Sequence, residues 1–175
     1  YTANAEKAVA GLVEAQAEPL QPLEEVSTPG IKTIAGLAEF LNIPEEKTLK
    51  AVFYSADDEV ILVSIRGDLE VNEVKLKNVL KINELRLATD EEVIGAGLVA
   101  GSASAVGLQG IRRIADTSIT SGANFVVGAN KPDTHLKGAN YPRDFEVDIL
   151  TDIALAQPGQ LCPQCGHILE SNRGI

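Results

Sequence analysis

Cys162-Pro-Gln-Cys165-Gly-His167 is the densest group of reactive side chains in the sequence. Two thiolates offered from one tight turn can take two corners of a tetrahedral zinc site, but a structural site needs four ligands. Only His167 is near enough in sequence to add a third, so the motif reads as half a site. A redox pair normally opens a helix after a strand, a context this tail lacks. An idle thiol pair stays open as the bland alternative. The chain has two histidines in all, which nearly excludes a Ser-His-Asp triad. It contains no G-x-S-x-G elbow, no H-E-x-x-H, no Walker A loop and no G-x-G-x-x-G. The glycines at 95, 97, 101, 107 and 110 have the wrong spacing for a dinucleotide fold. Any chemistry here is sparing in protein acids and bases.

The remaining candidates are single residues. Side chains alternate along a strand, so Thr48 and Lys50 fall on one side, where a cation beside a hydroxyl could hold a phosphate or carbonyl oxygen. The local sequence fits a solvated strand-edge lysine better. Asp116, before Thr-Ser, has the form of a helix or turn cap, and His135 that of a surface residue at a hairpin end. Arg66-Gly-Asp68 reads as a turn between a buried strand and a capped helix.

The elements that must position these residues can be read from periodicity. Residues 5–17 carry the i, i+3, i+4, i+7 apolar spacing of an amphipathic helix, with Asn4 as N-cap. A second helix carries Ile34, Leu37, Ala38 and Leu41 on one face, with Thr33 as cap, and Pro44 opens a short turn. Residues 48–56 and 59–66 read as strands joined at Asp57-Asp58. Val60–Ile65 is apolar on nearly both faces and therefore central in its sheet. Asn72 caps a third helix, with Val71 and Leu76 as a hydrophobic staple. A short strand at Leu85–Leu87 precedes the capping box Thr89-Asp-Glu-Glu92. Ile111–Ala115 reads as a strand, and Phe125–Gly128 with His135–Gly138 as a hairpin around Asn130-Lys-Pro-Asp133. Helices and strands alternate while some neighbours are hairpin-linked, so the expected class is mixed α/β and not a doubly wound parallel sheet.

Composition sets the outer bounds. The 175 residues fit one domain with a small appendage, and 45% are hydrophobic. With three Tyr, four Phe and no Trp, the core must be aliphatic. No run of about 18 apolar residues could span a membrane, and no signal peptide opens the chain. The cytoplasm is the expected compartment. A net charge of −10 argues against broad duplex binding, which needs cations to displace counterions, but leaves room for gripping one single-stranded end.

Taken together, the sequence resembles the editing (insertion) domain of bacterial-type prolyl-tRNA synthetases, a fold shared with freestanding YbaK-like deacylases. The resemblance rests on Thr28-Pro-Gly-Ile-Lys-Thr-Ile34, Pro44-Glu-Glu-Lys-Thr-Leu-Lys50 and Arg66-Gly-Asp-Leu-Glu-Val-Asn-Glu-Val-Lys75. It continues through Ile114-Ala-Asp116, Asn124-Phe-Val-Val-Gly-Ala-Asn130, His135 and Arg143-Asp144, in the same order and spacing. It implies a mixed, largely antiparallel curved sheet with packed helices. It also implies three segments: an N-terminal helix and connector over 1–18, an editing domain over 19–157, and a half zinc-knuckle tail over 158–175 that leads back to a missing catalytic core. On this resemblance Tyr1-Thr-Ala-Asn4 and Arg173-Gly-Ile175 look like cuts inside the synthetase.

The resemblance also assigns the site. Lys50, Asp116 and His135 become its catalytic group, and Thr28, Ile34, Leu37, Thr48 and Gly101 its substrate-binding group. Cys162 and Cys165 become half of a zinc site whose other pair lies upstream of Tyr1. Editing itself is expected to need no cofactor, while zinc is a cofactor candidate for the full-length protein, and ATP and Mg serve its synthetase core. The implied partners are the 3′ end of tRNA(Pro), the rest of the synthetase chain and a second copy in a homodimer. The implied reaction is hydrolysis of the aminoacyl ester of alanyl-tRNA(Pro). A freestanding trans-editing deacylase and a non-catalytic tRNA-end or protein-binding module are the alternatives. One departure stands out. The family's Gly-x-x-Gly-Pro loop is here Gly101-Ser-Ala-Ser104-Ala105, which predicts a less rigid loop.

Overall fold

The computed structural model describes residues 2–4, 6–12, 17–99 and 101–172. Its central hairpin pairs β2 (Leu49–Ala56) with β3 (Glu59–Arg66), antiparallel, from Leu49 opposite Arg66 to Ala56 opposite Glu59. Asp57 and Asp58 both take positive φ, 45° and 69°, the left-handed pair that matches the twist of a two-residue hairpin. The apolar run in β3 is central, as expected. The strand lies between β2 and β5 (Arg112–Asp116), which it pairs in parallel, and Ile61, Leu62, Val63 and Ile65 are fully buried. With β4 (Leu85–Leu87) outside β2 and β8 (Ile149–Thr151) outside β5, the sheet order is β4-β2-β3-β5-β8.

A second sheet, wholly antiparallel, has the order β1-β7-β6, from β1 (Glu24–Ser27), β6 (Phe125–Gly128) and β7 (Thr134–Ala139). A parallel bridge between Thr48 and Val126 links it to the first sheet. The class is therefore the mixed, largely antiparallel α/β arrangement expected, divided into two sheets. Alternation along β3 splits the core. Leu62 joins Phe125, Leu136 and Phe145 in a cluster drawn from both sheets, while Ile61 and Val63 join Leu76, Ile114 and Ile153 under α2.

The helices sit where their caps put them. Thr33 accepts from Gly36 N–H at the start of α1 (Ile34–Leu41), and Asn72 accepts from Val74 and Lys75 N–H at the start of α2 (Glu73–Leu80). Thr89 and Glu92 form the reciprocal capping box of α3 (Asp90–Gly95). Pro44 precedes a 3-10 turn over Glu45–Lys47.

The helix expected over residues 5–17 is corrected where the chain is described. Ala8 N–H closes one turn onto the Asn4 carbonyl at 2.9 Å, and no helix continues through residue 12. Instead Gly11 N–H donates to the Leu161 carbonyl at 2.7 Å, tying this segment to the tail. Glycine weakens helix propagation, and a sheet-like partner from far along the chain takes its backbone instead. Ala5 and residues 13–16 of that expected helix lie outside the described residues, as do Tyr1 and Arg173-Gly-Ile175 of the expected cuts. Among the described residues no helix is long and apolar enough to cross a membrane.

Candidate active site

Between α1, the start of β2 and β7 lies a cleft of about 230 Å³. One wall comes from α1. Ile34 and Leu37 are three residues apart, so they share a helix face, and both line the cleft. Leu37 is 2% exposed, held from behind, whereas Ile34 is half-buried. Gly67 makes room for this wall. A Cβ there would lie 1.9 Å from Thr48 Oγ1 and 2.9 Å from Ile34 Cγ2, so the end of β3 approaches α1 only as glycine. Arg66-Gly-Asp68 is thus an internal turn, closed by Arg66 Nε and Nη2 donating to the Asp68 carboxylate at 2.6 and 2.8 Å.

The polar groups of the cleft are few. Lys50 lines it from β2, with Nζ 2.7 Å from Glu70 Oε1; the lysine side chain is 16% exposed and the glutamate 65%. His135 lines it from β7. Thr28 Oγ1 lies 2.6 Å from His135 Nδ1, and both residues are buried. That bond occupies Nδ1 and leaves Nε2 for another partner. Burial pushes the imidazole below its ordinary pKa, so the ring is neutral at pH 7. If the threonine hydroxyl donates to Nδ1, Nε2 carries the proton and can donate to a carbonyl oxygen. The opposite tautomer would accept from water.

The cleft therefore gathers Ile34, Leu37, Lys50, Gly101 and His135, with Thr28 bonded behind the histidine. Two expected site residues fall elsewhere. Thr48 is fully buried, and its hydroxyl donates to the Glu45 carbonyl at 2.8 Å, closing the 3-10 turn instead of pairing with Lys50. Asp116 is 1% exposed and does not line the cleft. Its Oδ1 accepts from Ser118 N–H and its Oδ2 from Ile153 N–H, each at 2.8 Å. It joins the end of β5 to the segment after β8.

Lys32 and Thr33 before α1 and Leu49, Ala51 and Val52 of β2 also line the cleft, as do Ala103 and Gly128, which were not singled out from sequence. No local signal marks them. Their role comes from contact between the loop after Gly101 and β6.

The cysteine tail is separate. Cys162 N–H donates to the His167 carbonyl at 2.8 Å, and Gly166 N–H to the Cys162 carbonyl at 2.9 Å, so the motif is a tight turn. Cys162 is buried and Cys165 exposed. The His167 N–H and the Cys162 thiol hold the Cys165 thiol below its usual range. Among the described residues no three His, Cys, Asp or Glu side chains converge as metal ligands. The residues present do not fit a complete zinc site.

Fold and cleft together define a small mixed α/β domain whose pocket sets the apolar wall of Ile34 and Leu37 beside a neutral imidazole and two lysines, Lys32 and Lys50. The chain belongs to the aminoacyl-tRNA editing domain family, whose model matches residues 28–145. Along its whole length it is 55% identical over 175 residues to a proline--tRNA ligase of Dehalococcoides mccartyi and 42% identical over 177 residues to that of Thermotoga maritima. It spans 31% and 30% of those two ligases. The same fold occurs in a solved structure described as "a putative trans-editing enzyme for prolyl tRNA synthetase" (TM-score 0.65, 17% identity), covering 75% of this chain and 86% of that one.

Proposed function

We propose that this domain edits mischarged tRNA(Pro), hydrolysing the ester of alanyl-tRNA(Pro) as the inserted domain of a prolyl-tRNA ligase. The single observation that carries this is the convergence of Ile34, Leu37, Lys50 and His135 on one cleft. The need for such a site is energetic. Alanine is smaller than proline and enters a proline pocket, and each lost methylene costs only about 1–3 kcal/mol of discrimination. A second pocket that admits a methyl and rejects a pyrrolidine ring restores fidelity by size.

An aminoacyl ester is already activated, so hydrolysis needs an oriented water, a polarised carbonyl and a stabilised oxyanion. Ile34 and Leu37 form the size wall. Lys50 anchors the 3′ end, His135 Nε2 positions the ester or its water, and backbone N–H groups receive the oxyanion. The neighbouring ribose hydroxyl can help to orient the water. No protein group becomes covalently attached. Asp116 contributes from behind the site by holding strands together, and Thr28 by orienting His135.

The net charge of −10 supports a limited contact, with the domain touching the terminal adenosine while the rest of the ligase holds the tRNA. The ligase core, using ATP and Mg, and a second copy in a homodimer are the partners this reading gives the whole protein, with the cytoplasm as its compartment. Zinc would need ligands from outside this chain to join Cys162 and Cys165. The test is loss of the ester from labelled alanyl-tRNA(Pro): protein must accelerate it well above the rate in buffer. A rate equal to buffer favours the non-catalytic binding module instead.

A further inference from the structure

The Gly101–Ala105 loop lacks the second glycine and the proline that would stiffen it locally, yet four of its residues are buried. Asn130 fastens it from the β6–β7 turn. Its backbone N–H donates to the Ser102 carbonyl at 2.7 Å, its Oδ1 accepts from Ser104 N–H at 3.0 Å, and its Nδ2 donates to the Val106 carbonyl at 2.8 Å. Asn130 holds this pose in the left-handed region, φ 55°, which asparagine tolerates better than most residues. Ser104 adds a second tie. Its hydroxyl donates to the buried Gly128 carbonyl at 2.6 Å and accepts from Val106 N–H at 3.3 Å. Gly128 lets the loop lie down on β6, since a Cβ there would come within 2.3 Å of Ser102.

Between these ties sits Ala103, which lines the cleft. Its N–H has no acceptor among the described residues. Ala103 thus sits at the cleft wall on a segment held at Ser102 and Ser104 on either side.

We propose that Asn130 and Ser104 are positioning residues for ester hydrolysis, replacing local loop stiffness with a long-range clamp that fixes the Ala103 wall of the cleft. The proposal rests on the editing function given above. Neither residue touches substrate. Each acts through the loop, so its loss should misplace the wall without removing the pocket.

Two variants separate the clamp from general folding. Asn130→Gly keeps the left-handed backbone and deletes the carboxamide; Ser104→Ala deletes the hydroxyl and keeps the loop backbone. Single-turnover hydrolysis of alanyl-tRNA(Pro) and amide hydrogen exchange over residues 102–106 are measured for each. The expected result is a rate constant lowered about 10- to 100-fold, with half-saturation by tRNA unchanged, because misplacement by about 1 Å can cost that much. Exchange at Ser104 and Val106 should accelerate in both variants. A cooperative melt must be retained, and Ser104→Ala carries the test if Asn130→Gly fails to fold. Native hydrolysis rates in a variant whose loop exchanges faster would overturn the positioning role. Unchanged exchange would overturn the clamp itself. A wild-type protein without hydrolysis would instead overturn the editing function, a result distinct from either.

Discussion

Removing the Asp116 carboxylate separates a structural from a catalytic role more sharply than any other single change. Both its oxygens accept buried backbone N–H groups, from Ser118 and Ile153, at 2.8 Å. Asp116→Ala strands both donors at a position 1% exposed. Buried hydrogen bonds to a carboxylate contribute about 1.5–3 kcal/mol each, so the expected loss is about 3–6 kcal/mol. For a domain of this size each kcal/mol moves the melting temperature by about 2–4 °C, which gives a drop of about 6–24 °C. Asp116→Asn keeps one carbonyl acceptor and should lose about half as much. The assay is a thermal melt beside the deacylation rate of the remaining folded fraction at 25 °C. A variant that melts like the wild type but no longer hydrolyses the ester would refute this reasoning and return Asp116 to the site.

Four further outcomes follow from the cleft. Leu37→Ala should cost about 2–5 kcal/mol of stability and leave a folded protein that attacks prolyl-tRNA(Pro) about 10- to 200-fold faster; a folded variant that still spares proline places the wall elsewhere. His135 is held below its ordinary value of 6.5 by burial, so the unfolded chain takes up this proton first as pH falls. Its contribution to stability is full above about 6.5 and is lost as pH drops from there toward the lowered folded value, whereas hydrolysis by the folded protein should fall only as pH reaches that lowered value. His135→Gln should flatten both profiles, and unchanged profiles would remove His135 from the account. Lys50→Ala should slow alanine removal while changing stability by less than about 1 kcal/mol, since its partner Glu70 is exposed; a collapse in stability would make Lys50 structural. Metal analysis after dialysis should find well under one zinc per chain, because two cysteines cannot close the site; one tightly held ion would show further ligands.

Local signals in the sequence were enough for most of the scaffold. Thr33, Asn72 and Thr89 cap their helices through neighbours two to three residues away, and Asp57-Asp58 closes its hairpin within the turn, so spacing alone exposes them. The site was less legible. Ile34, Leu37, Lys50 and His135 lie on three separate elements, and only the resemblance to editing domains grouped them. Periodicity failed over residues 6–12 because it is blind to the tail that Gly11 pairs with. Thr48 and Asp116 carry the right side chains for a site, but their partners, the Glu45 carbonyl and the Ile153 N–H, claim them for the frame. The loop at 101–105 looked slack because its stiffness is supplied from Asn130, 26 residues beyond Ser104.

The most direct test of the central claim is to present the wild-type protein with alanyl-tRNA(Pro) and prolyl-tRNA(Pro) side by side and follow both esters. The size wall of Ile34 and Leu37 predicts rapid loss of alanine and a prolyl ester that decays no faster than in buffer. Equal hydrolysis of the two esters, or none of either, would contradict it.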